Sequence, residues 1–290
     1  MKTYQQVLCP VDFSESSLNA ARWGLELAAL ARCPLRLVHS YSLLLQDSET
    51  AATLYPEMLR ISEDLMKRFL ERLQVPPDLE VHNGNTPLDI AQELRIRCEE
   101  VPFSMIVMST KGAKGFTRFL LGTNAVSVLH SVEVPVLVVP ETCAWPDKSK
   151  GPSPWVFAVN PLNSTYELAT AWLRSFSELL GIQMNPGFVA TGKSSSEEKA
   201  YFLQWAAVQF PNQEPVTVVS ENPISGIEDL IFQSKAEGLL MIARDKGWFR
   251  DLLRRHTADE MVFMGRYPVL VVPERLNIGI NDSVSGPSEQ

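Results

Sequence analysis

What the chain lacks narrows the field first. No apolar run approaches the ~20 residues needed to cross a bilayer, and the amino-terminal stretch MKTYQQVLCPVDF has no apolar core of a secretory signal. The four cysteines, Cys9, Cys33, Cys98 and Cys143, are scattered without C-x-x-C spacing. They read as reduced thiols, which excludes a disulfide framework and a thiolate metal centre. The four histidines, His39, His82, His130 and His256, show no pairing at metal-ligand spacing. His39 at the end of a strand and His130 in a helix read as structural. Neither a G-x-S-x-G elbow nor a G-x-G-x-x-G fingerprint is present. Positive charge is in deficit, 26 Lys and Arg against 34 Asp and Glu, giving a net charge of −8 and a pI near 5.2. That balance argues against nucleic acid or anionic membrane as the main partner. The expectation is a cytoplasmic protein with no metal and no enzymatic activity.

What is present is a duplication. PVLVVPE occurs at Pro135–Glu141 and again at Pro268–Glu274, 133 positions on. Thr86-Pro87 and Asn222-Pro223 each place a capping residue before proline, a helix-start signature. Val7–Asp12 (VLCPVD) matches Trp155–Asn160 (WVFAVN), each an apolar strand ending in a small polar turn. With 290 residues there is room for two cores. The expected division is a first unit over 1–143, a linker over 144–154, a shorter second unit over 155–276 and a disordered polar tail over 277–290.

Within the first unit, strands are expected at about Gln5–Val11, Leu35–His39, Leu79–His82, Met105–Met108 and from Pro135. Leu18, Ala21, Leu25 and Ala28 give one helix a buried face. Met58, Ile61, Leu65, Phe69 and Leu73 give a second helix its stripe, stopped by Pro76-Pro77. Thr86 is expected to cap the third. In the second unit, Leu168, Trp172, Phe176 and Leu179 mark a helix ended near Gly181. Strands follow at Val216–Ser220, Gly238–Ala243 and Pro268–Val272. Alternation of this kind implies an α/β fold with parallel sheets covered on both faces.

The most informative stretch runs from Met105 to Glu141. A buried strand ends in Ser109, Thr110, Lys111 and Gly112. After nine further residues come Gly122, Thr123 and Asn124, then a helix. A strand's carboxyl end facing a helix amino terminus is where open α/β sheets bind anions. Glycine lets a phosphate approach the backbone. The same residues also serve a plain strand-to-helix connection, and Asn124 suits either a cap or a donor. Asp12, at the carboxyl end of the first strand, reads on its own as a turn residue before a capped helix.

Ser109-x-x-Gly112-x9-Gly122-Thr123 resembles the G-x-x-G-x9-G-[S/T] nucleotide loop of the universal stress protein family, with serine in place of the first glycine. Pro10-Val11-Asp12-Phe13-Ser14 is similar to the family segment whose aspartate meets adenine. The resemblance implies two tandem Rossmann-like units of the adenine nucleotide alpha-hydrolase-like type, each a five-stranded parallel sheet of order 3-2-1-4-5. It implies an ATP site, with or without Mg, in which Asp12 and the backbone of Ser40 meet the base. Gly112, Gly122 and Thr123 would wrap the phosphates, with Lys111 or Lys114 supplying charge. It also implies an intramolecular pseudo-dimer through the last strands, with homodimerisation open, and regulatory protein partners.

The second unit lacks this constellation. Asn160 stands for Asp12, the loop from Ala243 to Met261 keeps only Gly247, and Arg254, Arg255 and His256 stand near the place of Gly122-Thr123. Gly187–Ser194 (GFVATGKS) satisfies the phosphate-loop pattern G-x-x-x-x-G-K-[S/T]. Asn185 and Pro186 before it make a poor core strand, so the match reads as coincidence, with Ser194–Glu198 an ordinary helix start. Two rival readings remain: an interaction protein whose pockets are vestigial, and an ATP-cleaving enzyme of the wider superfamily.

Overall fold

The computed structural model describes residues 4–41, 48–101, 103–110, 122–159, 167–192, 194–243, 265–274 and 276. Its elements in the first half are β1 (Gln6–Pro10), α1 (Glu15–Ala31), β2 (Leu35–Ser40), α2 (Ser48–Leu73), β3 (Val81–Thr86), α3 (Ile90–Glu100), β4 (Ser104–Ser109), α4 (Thr123–Ser131) and β5 (Val136–Val139). The second half holds β6 (Ser153–Ala158), α5 (Glu167–Leu180), β7 (Ile182–Ala190), α6 (Ser196–Gln209), β8 (Val216–Val219), α7 (Pro223–Gln233), β9 (Gly238–Ala243) and β10 (Val269–Pro273).

The strands form one ten-stranded sheet in the order β3-β2-β1-β4-β5-β10-β9-β6-β7-β8. Each half is parallel and repeats the order 3-2-1-4-5. The halves join antiparallel through the two PVLVV strands, with Val138 paired to Val269, Leu137 to Leu270 and Val136 to Val271. An apolar edge strand is an aggregation hazard, and each copy of this segment removes the other's edge. Successive strand residues feed opposite cores, as sheets buried on both faces require. Val7 and Cys9 lie under α1, α2, α5 and α6, whereas Leu8 lies under α3, α4 and α7.

Local chemistry explains the element ends. Ser14 caps α1 by accepting from the Ser17 N–H, and the helix buries Leu18, Ala21, Leu25 and Ala28 as its spacing implies. Gly181, at φ +72°, ends α5 in the left-handed region that glycine occupies without strain. Asn222 caps α7, accepting from the Ile224 N–H, with Pro223 in the first turn.

Several expectations are corrected. Thr86 is the last residue of β3, not a helix cap. Asp89 caps α3 by accepting from Ala91 and Gln92, because Thr86 is drawn into pairing with Ser40 and donates its hydroxyl to buried Glu93 at 3.0 Å. β3 accordingly starts later and runs further than the apolar residues suggest. Ile61 and Leu65 of α2 face solvent, and the buried stripe is Ser62, Met66, Phe69 and Leu73. Leu168 is likewise exposed, with Ala169, Trp172, Leu173, Phe176 and Leu180 buried in its place.

The phosphate-loop match dissolves in the structure. Gly187 through Ala190 lie inside β7, which also contains Asn185 and Pro186. The Gly187 and Ala190 carbonyls accept from Val159 on one side and Ser220 on the other. By strand alternation Pro186 therefore points toward β8, and the β7–β8 ladder starts only at Gly187. The missing N–H costs no ladder bond there, which is why proline is tolerated so deep in the sheet. A Cβ on Gly187 would sit 2.8 Å from Val156 Cγ2, so close packing accounts for that glycine. Ser195 caps α6 by accepting from Glu198.

Candidate functional site

The carboxyl ends of β1, β2 and β4 share one edge of the first half-sheet, with β1 between the other two. The chain leaves β1 toward β2 on one side and leaves β4 toward β5 on the other. This is the topological switch point, where an open α/β sheet leaves a crevice. Asp12 follows β1, Ser40 ends β2 and Ser109 ends β4.

The backbone of both serines turns toward this crevice. The N–H and C=O of one strand residue point the same way and alternate along the strand. The Val38 carbonyl accepts from Val11, and the Tyr41 N–H donates away, to Thr86 on β3. Ser40 therefore points its main chain toward β1, beyond the last bond of that ladder. The Phe103 carbonyl accepts from Gln5, and Ile106 donates to Pro135. By the same alternation Ser109 points its main chain toward β1 from the opposite side. The Ser40 hydroxyl is turned away and donates to the Leu88 carbonyl at 2.6 Å.

Asp12, half-buried, follows β1, the strand between β2 and β4 at this edge. Its Oδ1 accepts from the Ser14 hydroxyl at 2.6 Å and from the Ser14 N–H at 3.2 Å. Ser14 in turn caps α1, so the carboxylate is coupled to that helix's first turn. Phe13, between them, adopts φ +65°, rare for a residue with a Cβ. Its ring lies 4.2 Å from the His39 ring and 5.8 Å from that of Phe69.

His39 Nδ1 stands 2.8 Å from the Val11 carbonyl, which can only accept, so Nδ1 carries the proton. Burial lowers the His39 pKa below its ordinary 6.5, outweighing the Val11 bond and the Asp12 charge that raise it. As pH falls below about 6.5, the unfolded chain takes up a proton that the folded imidazole resists. This contribution to stability is therefore full above that pH and is lost as the pH falls toward the folded value. Melting curves at about pH 7.5 and 5.5 are expected to separate more for the native chain than for His39→Asn, whose amide still donates to Val11. Equal separation would remove His39 from the account.

Helix α4 begins beside this edge of the sheet. The Gly122 N–H donates to the Thr110 carbonyl at 2.5 Å, closing the loop at its base. Gly122 is the N-cap at φ −68° and ψ 153° and supplies no side-chain cap. Thr123 and Asn124, the first helical residues, are exposed. Ser, Thr, Asp or Asn at an N-cap would fill one of the free N–H groups of the first turn. Glycine supplies no such group, and that end carries the positive pole of the helix dipole. Lys111, Gly112 and Lys114 lie outside the described residues, as do Asn160, Lys193 and almost all of the Ala243–Met261 loop.

Sequence reasoning did not find the coupling of Asp12 to the helix cap through Ser14. It also missed the ring contact of Phe13 with His39. The spacing Asp-x-Ser carried a signal for the first, since an Asp two residues before a cap can accept from it. Nothing local signals a phenylalanine in the left-handed region. Burial raises the half-buried thiols, Cys143 to about 11 and Cys98 to about 12 with help from Glu99. Neither is an activated nucleophile. Among the described residues there is no cluster of metal-ligating side chains and no helix long and apolar enough to cross a membrane.

A family model described as the universal stress protein family matches residues 3–140. No curated protein matches the chain. Among solved structures, a universal stress protein from Archaeoglobus fulgidus DSM 4304 is 17% identical, covering 93% of this chain and 98% of its own, at a TM-score of 0.66. A functionally unknown protein from Pseudomonas aeruginosa PAO1 is 13% identical over 94% of this chain and 93% of its own, at a TM-score of 0.61. At these identities the likeness is one of fold, and it extends over both halves. A universal stress protein in complex with cAMP is 22% identical over 47% of this chain and 96% of its own, at a TM-score of 0.32.

Proposed function

The chain belongs to the universal stress protein family through residues 3–140, and on that premise we propose that its first unit binds an adenine nucleotide, ATP, and acts as a regulatory binding protein. The observation that carries this reading is the switch-point crevice, into which Ser40 and Ser109 direct their backbones and beside which α4 begins without a side-chain cap. Asp12 and the Ser40 backbone would take the base. Gly122, Thr123 and Asn124 would offer main-chain and side-chain donors to the phosphates, with Lys111 and Gly112 completing the loop. Bound ATP, with or without Mg, supplies a mobile anionic group whose presence is the signal.

Of the described side chains here that could take a proton, Asp12 is engaged by Ser14 through Oδ1. His39 is engaged through Nδ1 and held toward its neutral form. The reading is accordingly a binding protein and not an enzyme. Occupancy would fix the amino terminus of α4 and alter the surface around it. Hydrogen exchange over Gly122–Ser131 is expected to slow with ATP, and unchanged exchange would remove the regulatory part of the proposal.

Ser109→Gly tests the phosphate approach. If a Cβ crowds the nucleotide there, glycine is expected to tighten ATP binding about three- to tenfold, roughly 0.6–1.4 kcal/mol, by calorimetric titration. Weaker binding would instead mean that the serine hydroxyl contributes a hydrogen bond.

The second reading is an interaction protein of the same fold with vestigial pockets. It is favoured by the Asp12 carboxylate, which already accepts twice from Ser14. Failure of ATP to bind would select it.

A further inference from the structure

Helix α6 is apolar on two sides. Its inner side buries Phe202 and Ala206 in the core. Its outward positions from Ala200 to Val208 are Ala200, Tyr201, Leu203, Gln204, Ala207 and Val208, none of them charged. Tyr201 is 46% exposed, Leu203 39% and Val208 72%. The corresponding helix of the first half is α2, which also follows the second strand of its half-sheet and lies on the same face. There the exposed Ile61 and Leu65 are interleaved with Arg60, Glu63, Asp64, Lys67, Arg68 and Glu71, so charge breaks up the outward face. An uncharged apolar face on only one of two equivalent helices marks a contact surface.

We propose that this face binds a second copy of the chain, α6 against α6 in antiparallel orientation, across a two-fold axis at Gln204. An isologous contact must be self-complementary, and this register meets that demand along the central stripe of Ala200, Tyr201, Gln204, Ala207 and Val208. Ala200 falls opposite Val208 of the second copy, and Tyr201 opposite its Ala207, so a large residue meets a small one in each pair. Gln204 meets itself, and a primary amide offers both a donor and an acceptor to its own image. Glu197 and Glu198, at the start of α6, fall opposite positions 210 and 211 of the second copy. At that end Arg174 lies over the Phe210 ring, 5.3 Å from its centroid, and donates to the Gln209 carbonyl at 2.6 Å. The acidic start of one α6 would thus face the arginine-bearing end of the other. Nine helical residues span only about 13 Å, so the buried area falls below the ~1,200 Å² of a standard stable interface. The dimer is a weak one, populated at high protein concentration.

Sedimentation velocity of the full chain over a concentration series tests the proposal. The average mass is expected to rise from 32.4 kDa toward twice that value. Val208→Asp places a charge against Ala200 of the second copy and is expected to raise the dissociation constant about tenfold or more. The site is solvent-facing, so the far-ultraviolet circular dichroism of the variant should match the native chain. Gln204→Cys, on the axis, is expected to cross-link oxidatively about tenfold faster than Leu65→Cys, which is exposed on α2. The inference is overturned if the chain stays monomeric to millimolar concentration. It is equally overturned if Val208→Asp leaves association unchanged, or if the two cysteine variants cross-link at equal rates.

Discussion

Gly238→Ala is expected to lower the unfolding midpoint by about 5–10 °C, the equivalent of roughly 3 kcal/mol in a chain of this size. Gly238 opens β9 and is in register with Trp155 on β6. A Cβ at this position would lie 2.3, 2.4 and 2.7 Å from Trp155 ring atoms Cδ2, Cε2 and Cε3. Trp155 is fully buried, in a sheet whose neighbours are themselves buried on both faces. Neither the ring nor the backbone can yield cheaply in an interior packed to crystal-like density. The double variant Gly238→Ala with Trp155→Leu is expected to recover part of the loss, because leucine vacates the ring plane. Among the described residues Trp155 Nε1 has no hydrogen-bond partner, so removing the indole sacrifices no bond to them. Differential scanning calorimetry of the two variants decides the matter. A single variant that melts like the native chain would show that the sheet shifts to admit the methyl.

The second large effect is on ligand and not on stability. Gly122→Val is expected to weaken ATP binding about 10- to 100-fold, the worth of one charge-assisted hydrogen bond of roughly 1.5–3 kcal/mol. The backbone of Gly122 at φ −68° and ψ 153° is open to any residue. Its N–H bond to the Thr110 carbonyl does not depend on the side chain. The backbone therefore admits valine, and under the proposed binding mode its methyl groups would stand where a phosphate approaches the first turn of α4. Calorimetric titration beside a melting curve separates the outcomes. Lost binding with an unchanged midpoint supports a nucleotide at α4, whereas unchanged binding moves the nucleotide elsewhere.

Legibility in the sequence followed the range of the interactions. The duplicated PVLVVPE was informative because an apolar strand bounded by proline has to be buried, and two identical ones can bury each other. The α/β alternation was legible because strand and helix periods differ. Elements whose faces are set by distant packing were misread. On α2, Ile61 and Leu65 follow helical spacing as well as Ser62 and Met66 do. Only the position of the sheet beneath decides which set is buried. Thr86-Pro87 carried the same helix-start signal as Asn222-Pro223. Pairing with Ser40 and the hydroxyl bond to Glu93 extended β3 through Thr86 and passed the cap to Asp89. Pro186 argued against a strand locally, yet its ring points to a side of β7 where no ladder has begun. At the candidate site, Asp12, Ser40, Ser109 and Gly122 were legible as strand ends and a helix start. Their convergence depends on strand order, a non-local property. The cap network through Ser14 shows why Asp12 supports two readings at once. A carboxylate beside a helix start is equally suited to the helix and to a ligand.

Native mass spectrometry of the full chain with and without Mg-ATP tests the central claim most directly. The account predicts one nucleotide per chain, lost in Gly122→Val. No bound nucleotide at millimolar ATP would contradict it and leave a fold whose first-unit crevice serves protein contact alone.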